Sequence, residues 1–135
     1  MGKHKVSVVI LTVGLLMSAC ATTTSLREHA PTKEFTSTRS AQDVAACIND
    51  AWKNAGPLPW MTVPVSMEIH PDKFTVAQIT PAGLIVPETV RVMVDVLKDG
   101  TGSKTRYYEY LSTQIGDTLK LVEQCQQPSP SKPVP

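Results

Sequence analysis

The chain is poor in the residues that usually announce chemistry. Its 135 residues include 3 His, 3 Cys, 2 Trp and 2 Phe. No G-x-S-x-G, H-E-x-x-H, P-loop or dinucleotide-binding pattern occurs. A general base needs an oriented partner and a nucleophile, and no such set is visible, so no enzymatic activity is expected. Neither a C-x-x-C pair nor clustered histidines accompany the cysteines, which argues against a structural zinc. No cofactor is expected. Charge is nearly balanced, with 13 Lys and Arg against 12 Asp and Glu. Without a basic stripe there is no electrostatic footprint for nucleic acid. No internal repeat is present. No apolar run reaches the roughly 20 residues that a membrane-spanning helix needs.

The first twenty residues are the richest in information. Lys3 and Lys5 precede an uncharged apolar run over 6–17, and Ser18, Ala19 and Cys20 come next. A positive start, a short apolar core and small residues before a cleavage point mark a secretory signal peptide over 1–19. Leu16-Met17-Ser18-Ala19-Cys20 resembles the lipobox of bacterial lipoproteins. Met17 departs mildly from the Leu more usual at that place. The resemblance implies that Cys20 becomes the new amino terminus and carries the acyl chains, so the partner it implies is the membrane itself. Ala21, where inner-membrane retention would favour Asp, implies sorting to the outer membrane. Once Lys3 and Lys5 leave with the signal, 11 basic residues face 12 acidic ones and the net charge becomes −1.

Lipid on Cys20 also resolves an odd cysteine count. It leaves Cys47 and Cys125 as a pair in an oxidising compartment, where a disulfide persists. Residues 20–39, rich in Thr and Ser without apolar periodicity, read as a flexible tether. The folded domain is expected over 40–126, and the Pro-rich stretch 127–135 as a disordered tail.

Within that domain, Ser40 is placed to cap a helix over 41–55, with Val44, Ile48, Ala51 and Trp52 at helical spacing and Gly56-Pro57 as its stop. Val63, Val65, Met67 and Ile69 alternate with polar residues as in a half-buried strand. His70-Pro71-Asp72-Lys73 is a turn, and a second strand is expected over 74–80. Leu84-Ile85-Val86 reads as a short edge strand or a packed loop. Val90, Val92, Val94 and Val96 alternate as the strongest strand, Asp99-Gly100-Thr101-Gly102 turns the chain, and 104–111 returns. Ile115, Leu119, Val122 and Cys125 share a helical face, with Asp117 as N-cap. The expected fold is α+β: an N-terminal helix, a three- to four-stranded antiparallel sheet and a C-terminal helix, both helices on one sheet face.

His70 and Asp72 read as solvated turn residues, and Asp95 with Asp99-Gly100 as strand and hairpin rather than a calcium loop. Tyr107, Tyr108 and Tyr110, with Trp60 in its Pro-flanked loop, are the candidate binding surface; interior packing competes with that reading for the tyrosines and is the favoured one for Trp60, which can plug the open end of the sheet. Cys47, Trp52, the hairpin ending in Tyr107-Tyr108, and Cys125 resemble small uncharacterised lipoproteins of Gram-negative bacteria. The hairpin is similar, more weakly, to the carboxy-terminal domains of TonB and TolA. These resemblances imply a shared fold and a periplasm-facing domain over 40–126, and no activity. Good fold signals without a catalytic set make an outer-membrane lipoprotein whose domain binds an envelope protein the leading expectation. A small-ligand binder and a surface-exposed antigen are the alternatives.

Overall fold

The computed structural model describes residues 22–85, 87–110 and 114–129. The leading segment with its Cys20, and the last part of the tail, lie outside the described residues. Eight elements succeed one another: α1 (Thr23–Arg27), β1 (Lys33–Ser37), α2 (Ala41–Lys53), β2 (Val65–Ile69), β3 (Lys73–Thr80), β4 (Thr89–Asp99), β5 (Gly102–Glu109) and α3 (Thr118–Gln126). The strands form one antiparallel sheet in the order β1-β5-β4-β3-β2.

The fold is α+β as expected, but larger by one helix and at least one strand. Both additions come from the expected tether. Residues 22–39 are part of the fold: Thr22 caps α1, and β1 pairs along β5 from Lys33↔Tyr107 to Ser37↔Ser103. Composition hides them for a physical reason. Each element buries only one or two side chains, Leu26 in α1 and Ser37 with half-buried Phe35 in β1, too few to set up a period. The Lys33 ammonium lies 5.2 Å from the Phe35 ring centroid, so a charged residue covers the apolar one.

Alternation along the strands divides the sheet into two faces. Phe74, Val76, Val92, Val94, Val96 and Tyr107 point to the face covered by α2 and α3, where they meet Val44, Ala45, Ile48, Trp52, Val122 and Cys125. The helix pair therefore shares one face, as the sequence implies. The third helix, α1, lies on the other. There Leu26 packs with Ala77, Val90, Met93 and Tyr108. Val90 is thus on the face opposite Val92, although a simple alternation puts them together. The cause is an irregularity in register: Gln78 pairs with Val92 but Ile79 pairs with Val90, leaving Arg91 as an extra residue on β4.

The helix starts obey their caps. Ser40 Oγ accepts the Asp43 N–H at 3.1 Å, and Asp117 Oδ1 accepts the Lys120 N–H at 3.2 Å. At the hairpin between β4 and β5, Gly100 takes φ +58°, a conformation open to glycine at no steric cost. Gly102 admits the Ser37 carbonyl so closely that a Cβ there would collide with it, which lets the end of β1 lie against β5.

The sheet has two distinct ends. The end at which β2 and β4 begin and β3 and β5 finish is called proximal. It holds the loops 54–64 and 81–88 and the start of α3. The distal end holds the turns 70–72 and 100–101, the start of α2 and the exit of α3.

Candidate functional site

Three arrangements decide which surfaces are free. The first fixes α3. Cys47 on α2 and Cys125 on α3 form a disulfide with Cα atoms 5.7 Å apart. Gln78, fully buried on β3, grips the loop before α3 at two points: its Nε2 donates to the Ile115 carbonyl and its Oε1 accepts the Ile115 N–H, each at 2.9 Å. Trp52 Nε1 donates to the Thr118 carbonyl at 3.2 Å, and the Tyr107 hydroxyl meets Thr118 Oγ1 at 2.7 Å. At the other end Arg39 donates to the Cys125 carbonyl at 2.9 Å, a cation placed against the negative end of the helix.

The second arrangement pins α1. The Arg27 guanidinium forks onto Asp95, Nε to Oδ2 and Nη2 to Oδ1, both at 2.7 Å. Thr75 joins them, accepting from Arg27 Nη2 at 2.9 Å and donating to Asp95 Oδ1 at 2.7 Å. Burial would raise the Asp95 carboxyl. The hydrogen bonds from Arg27 and Thr75 and the charge of Arg27 outweigh it and hold the group below the ordinary carboxylate range. Bidentate pairing of this kind is what a buried carboxylate requires. Asp95 belongs to this pair, and Asp99 to the distal turn.

The third arrangement removes the tyrosines from the surface. Tyr107 is fully buried on the helix face, and Tyr108 is buried on the α1 face with half-buried Tyr110 beside it. Burial pushes the Tyr107 phenol up, and the bond it donates to Glu109 adds to the shift. The tyrosines are therefore structural, each face filled as strand alternation dictates. At the turn, His70 Nε2 lies 3.3 Å from Glu68 Oε2, while Asp72 is exposed. Among the described residues, no group of three or more His, Cys, Asp or Glu is placed to hold a metal ion.

Trp60 behaves differently from the tyrosines. It is 77 % exposed, flanked by exposed Leu58 and Met61. Leu84 and Ile85 in loop 81–88, and Met67 and Ile69 on β2, are large apolar residues that are exposed as well. Of the alternating Val63, Val65, Met67 and Ile69, Val63 just before β2 is buried and Val65 packs against the core, while Met67 and Ile69 are exposed. Met67 and Ile69 point to the helix face but stand at the margin of the sheet, where α2 does not cover them. Leu84-Ile85 forms neither a strand nor a packed loop, and Val86 lies outside the described residues.

The two sheet margins differ. β1 presents Lys33, Glu34 and Thr36, and Glu34 pairs with Lys104 and Arg106 at 3.4 and 3.2 Å. Charges of this kind blunt an edge against pairing with another chain. β2 has one charge, Glu68, and has no strand beyond it among the described residues.

Two clefts remain. One, of about 140 Å³, is lined by Thr22, Thr23, Ser66, Glu68, Ile79, Glu88 and Val90 on the α1 face. The other, of about 220 Å³, lies at the distal end between the start of α2 and the hairpin turn, with Phe74 and Lys98. Each of these two falls below the ~300 Å³ at which ligand pockets usually begin. No helix among the described residues is long and apolar enough to cross a membrane. No family model, curated protein or solved structure compared with this chain matches it.

Proposed function

We propose that this chain is an outer-membrane lipoprotein, anchored through acyl chains on Cys20, whose periplasmic domain binds an extended segment of an envelope protein along β2. One observation carries the binding part: β2 is an unguarded sheet margin with two exposed apolar side chains, Met67 and Ile69, on the same side of the strand. Strand addition suits such a margin, because backbone pairing supplies affinity and alternate side chains supply selectivity. The tyrosines play no part in this reading, since Tyr107 and Tyr108 are buried on opposite faces and Tyr110 is half-buried against Tyr108's cluster.

The anchoring part rests on the resemblance of residues 16–20 to a lipobox and on Cys47 and Cys125 pairing with each other, which leaves Cys20 as the remaining cysteine. The resemblance of residues 40–126 to small Gram-negative lipoproteins supports the same location. Among the described residues the space between sheet and helices is filled by the packed cluster of Trp52, Ile48, Val76, Val94 and Tyr107, which favours this reading over small-molecule binding there.

The test is capture from envelope extract by the mature protein, with the Met67→Lys/Ile69→Lys variant as control. A protein retained by the wild type and released by the variant supports the reading. Equal retention by both, or none by either, rejects strand addition at β2.

A further inference from the structure

Apart from Met67 and Ile69 on β2, the large exposed apolar residues among those described fall in two loops. Leu58, Trp60 and Met61 sit in the loop 54–64, between the end of α2 and the start of β2. Leu84 and Ile85 sit in the loop 81–88, between the end of β3 and the start of β4. Both loops are at the proximal end of the sheet. Ile85 and Leu84 are 95 % and 106 % exposed, so neither side chain finds cover in its own domain. The distal turns instead show His70, Pro71, Asp72, Asp99, Gly100 and Thr101.

The amino-terminal end of the described fold meets the same end. Thr22, the N-cap of α1, lines one cleft together with Glu88 and Val90, the residues that lead out of loop 81–88. One residue, Ala21, separates Thr22 from Cys20. Two residues of chain span at most about 7 Å. Three residues from Glu88 back to Ile85 span at most about 11 Å. An acyl chain on Cys20 therefore brings the bilayer to the end of the domain that displays these apolar side chains. The headgroup layer is itself only about 5–7 Å thick on each side. Arg27, pinned to Asp95, keeps α1 on the sheet, so the domain cannot hang away on a long tether.

We propose that the proximal loops dock on the bilayer: Leu84 and Ile85 enter the acyl boundary as a wedge, and Trp60 sits at the headgroup level beside them. An indole, apolar with one polar N–H, favours that depth. The inference rests on the lipid-anchored reading and adds an orientation to it. Two carboxylates in the adjoining cleft, Glu68 and Glu88, match a zwitterionic surface better than an anionic one. Docked in this way, the domain turns its distal turns, and with them the end of β2 at Ile69, toward the periplasmic space.

The experiment uses the native acylated protein in vesicles of phosphatidylethanolamine and phosphatidylcholine whose acyl chains carry bromine, a contact quencher of indole. Trp52 is fully buried and Trp60 is exposed, so the Trp60→Phe protein supplies the Trp52 background. The Trp60 share of the emission is expected to shift to shorter wavelength and to be largely lost on brominated vesicles. The Leu84→Asp/Ile85→Asp variant should stay on the vesicles through its lipid and recover that emission. A fluorophore attached through Thr101→Cys, at the distal turn, should be unaffected. Unquenched Trp60 in protein that still floats with the vesicles overturns the proposal and assigns the loops to a protein partner. An intact mass without acyl chains overturns the anchored reading and the docking together, and mass and quenching tell these two failures apart.

Discussion

Arg27 reaches from the last turn of α1 to grip both oxygens of Asp95 in the middle of β4, at 2.7 Å on each arm. The pair spans 68 residues and ties the segment next to Cys20 into the sheet. Its carboxylate is almost fully buried, while the guanidinium keeps about a quarter of its surface. Asp95→Ala should cost about 2–3 kcal/mol, below the usual figure for a broken buried pair because the freed Arg27 can turn to water. Asp95 is held below its unfolded value, so its contribution is present above about pH 4 and is lost as pH falls through the folded value. Urea unfolding of wild type and Asp95→Asn between pH 7 and 3 reads both: the wild type loses stability toward acid more steeply than the variant.

The disulfide closes a loop with a sequence separation of 78. On the chain-entropy model such a loop stabilises by about 4.5 kcal/mol. A small domain of ordinary stability, about 5–10 kcal/mol, depends heavily on that. Reduction, or the Cys47→Ala/Cys125→Ala double variant, should lower the denaturant midpoint by the corresponding amount with α2 and α3 loosened first. Amide exchange of α3 against β4 checks the order.

Gln78 holds Ile115 through a pair of bonds that imitates a strand pairing, at 2.9 Å each. Gln78→Leu keeps the volume but strips partners from the Ile115 N–H and carbonyl. Unpaired polar groups in a half-covered loop should cost about 2 kcal/mol together. Thermal unfolding measures the loss. Gln78→Glu should recover only part of it, because a carboxylate cannot donate to the carbonyl.

Tyr107 marks the alkaline limit. Its phenol is raised by burial and by Glu109, so the folded state prefers the neutral ring. A raised group stabilises fully below its unfolded value, near pH 10, and its contribution fades as pH climbs beyond that. Tyr107→Phe should lose about 1 kcal/mol at neutral pH with the Thr118 hydrogen bond. Above pH 10 the variant should fall less steeply than the wild type in guanidinium unfolding followed by circular dichroism.

Periodic segments are legible in the sequence and sparse ones are not. Helix α2, strands β3 and β4 and helix α3 each repeat apolar residues often enough to set a period, and their caps and turns agree with it; β5 is legible only as the return from the Gly-rich turn. Helix α1 and strand β1 escape such a reading because single anchors, Leu26 and Phe35, make no pattern. The contact that fixes them, Arg27 to Asp95, joins residues far apart in the chain. The face of Val90 is hidden for a similar reason: the extra residue at Arg91 shows only once β3 and β4 are paired. At the candidate surface the tyrosines divide between the two faces as alternation requires, whereas the Pro-flanked loop of Trp60 favours packing on sequence grounds and the ring is in fact exposed. Exposure of Met67, Ile69, Leu84 and Ile85 is not legible, because an apolar residue at a sheet margin looks in sequence like one at its centre.

The central claim is that Cys20 carries the membrane anchor while Cys47 and Cys125 carry the staple, and the intact mass of protein extracted in detergent from native membranes tests it most directly. The expected species begins at Cys20, heavier by a diacylglyceryl group and a further acyl chain, and lighter by the two thiol hydrogens of the disulfide. A chain still beginning at Met1, or one with an unmodified Cys20, would contradict it.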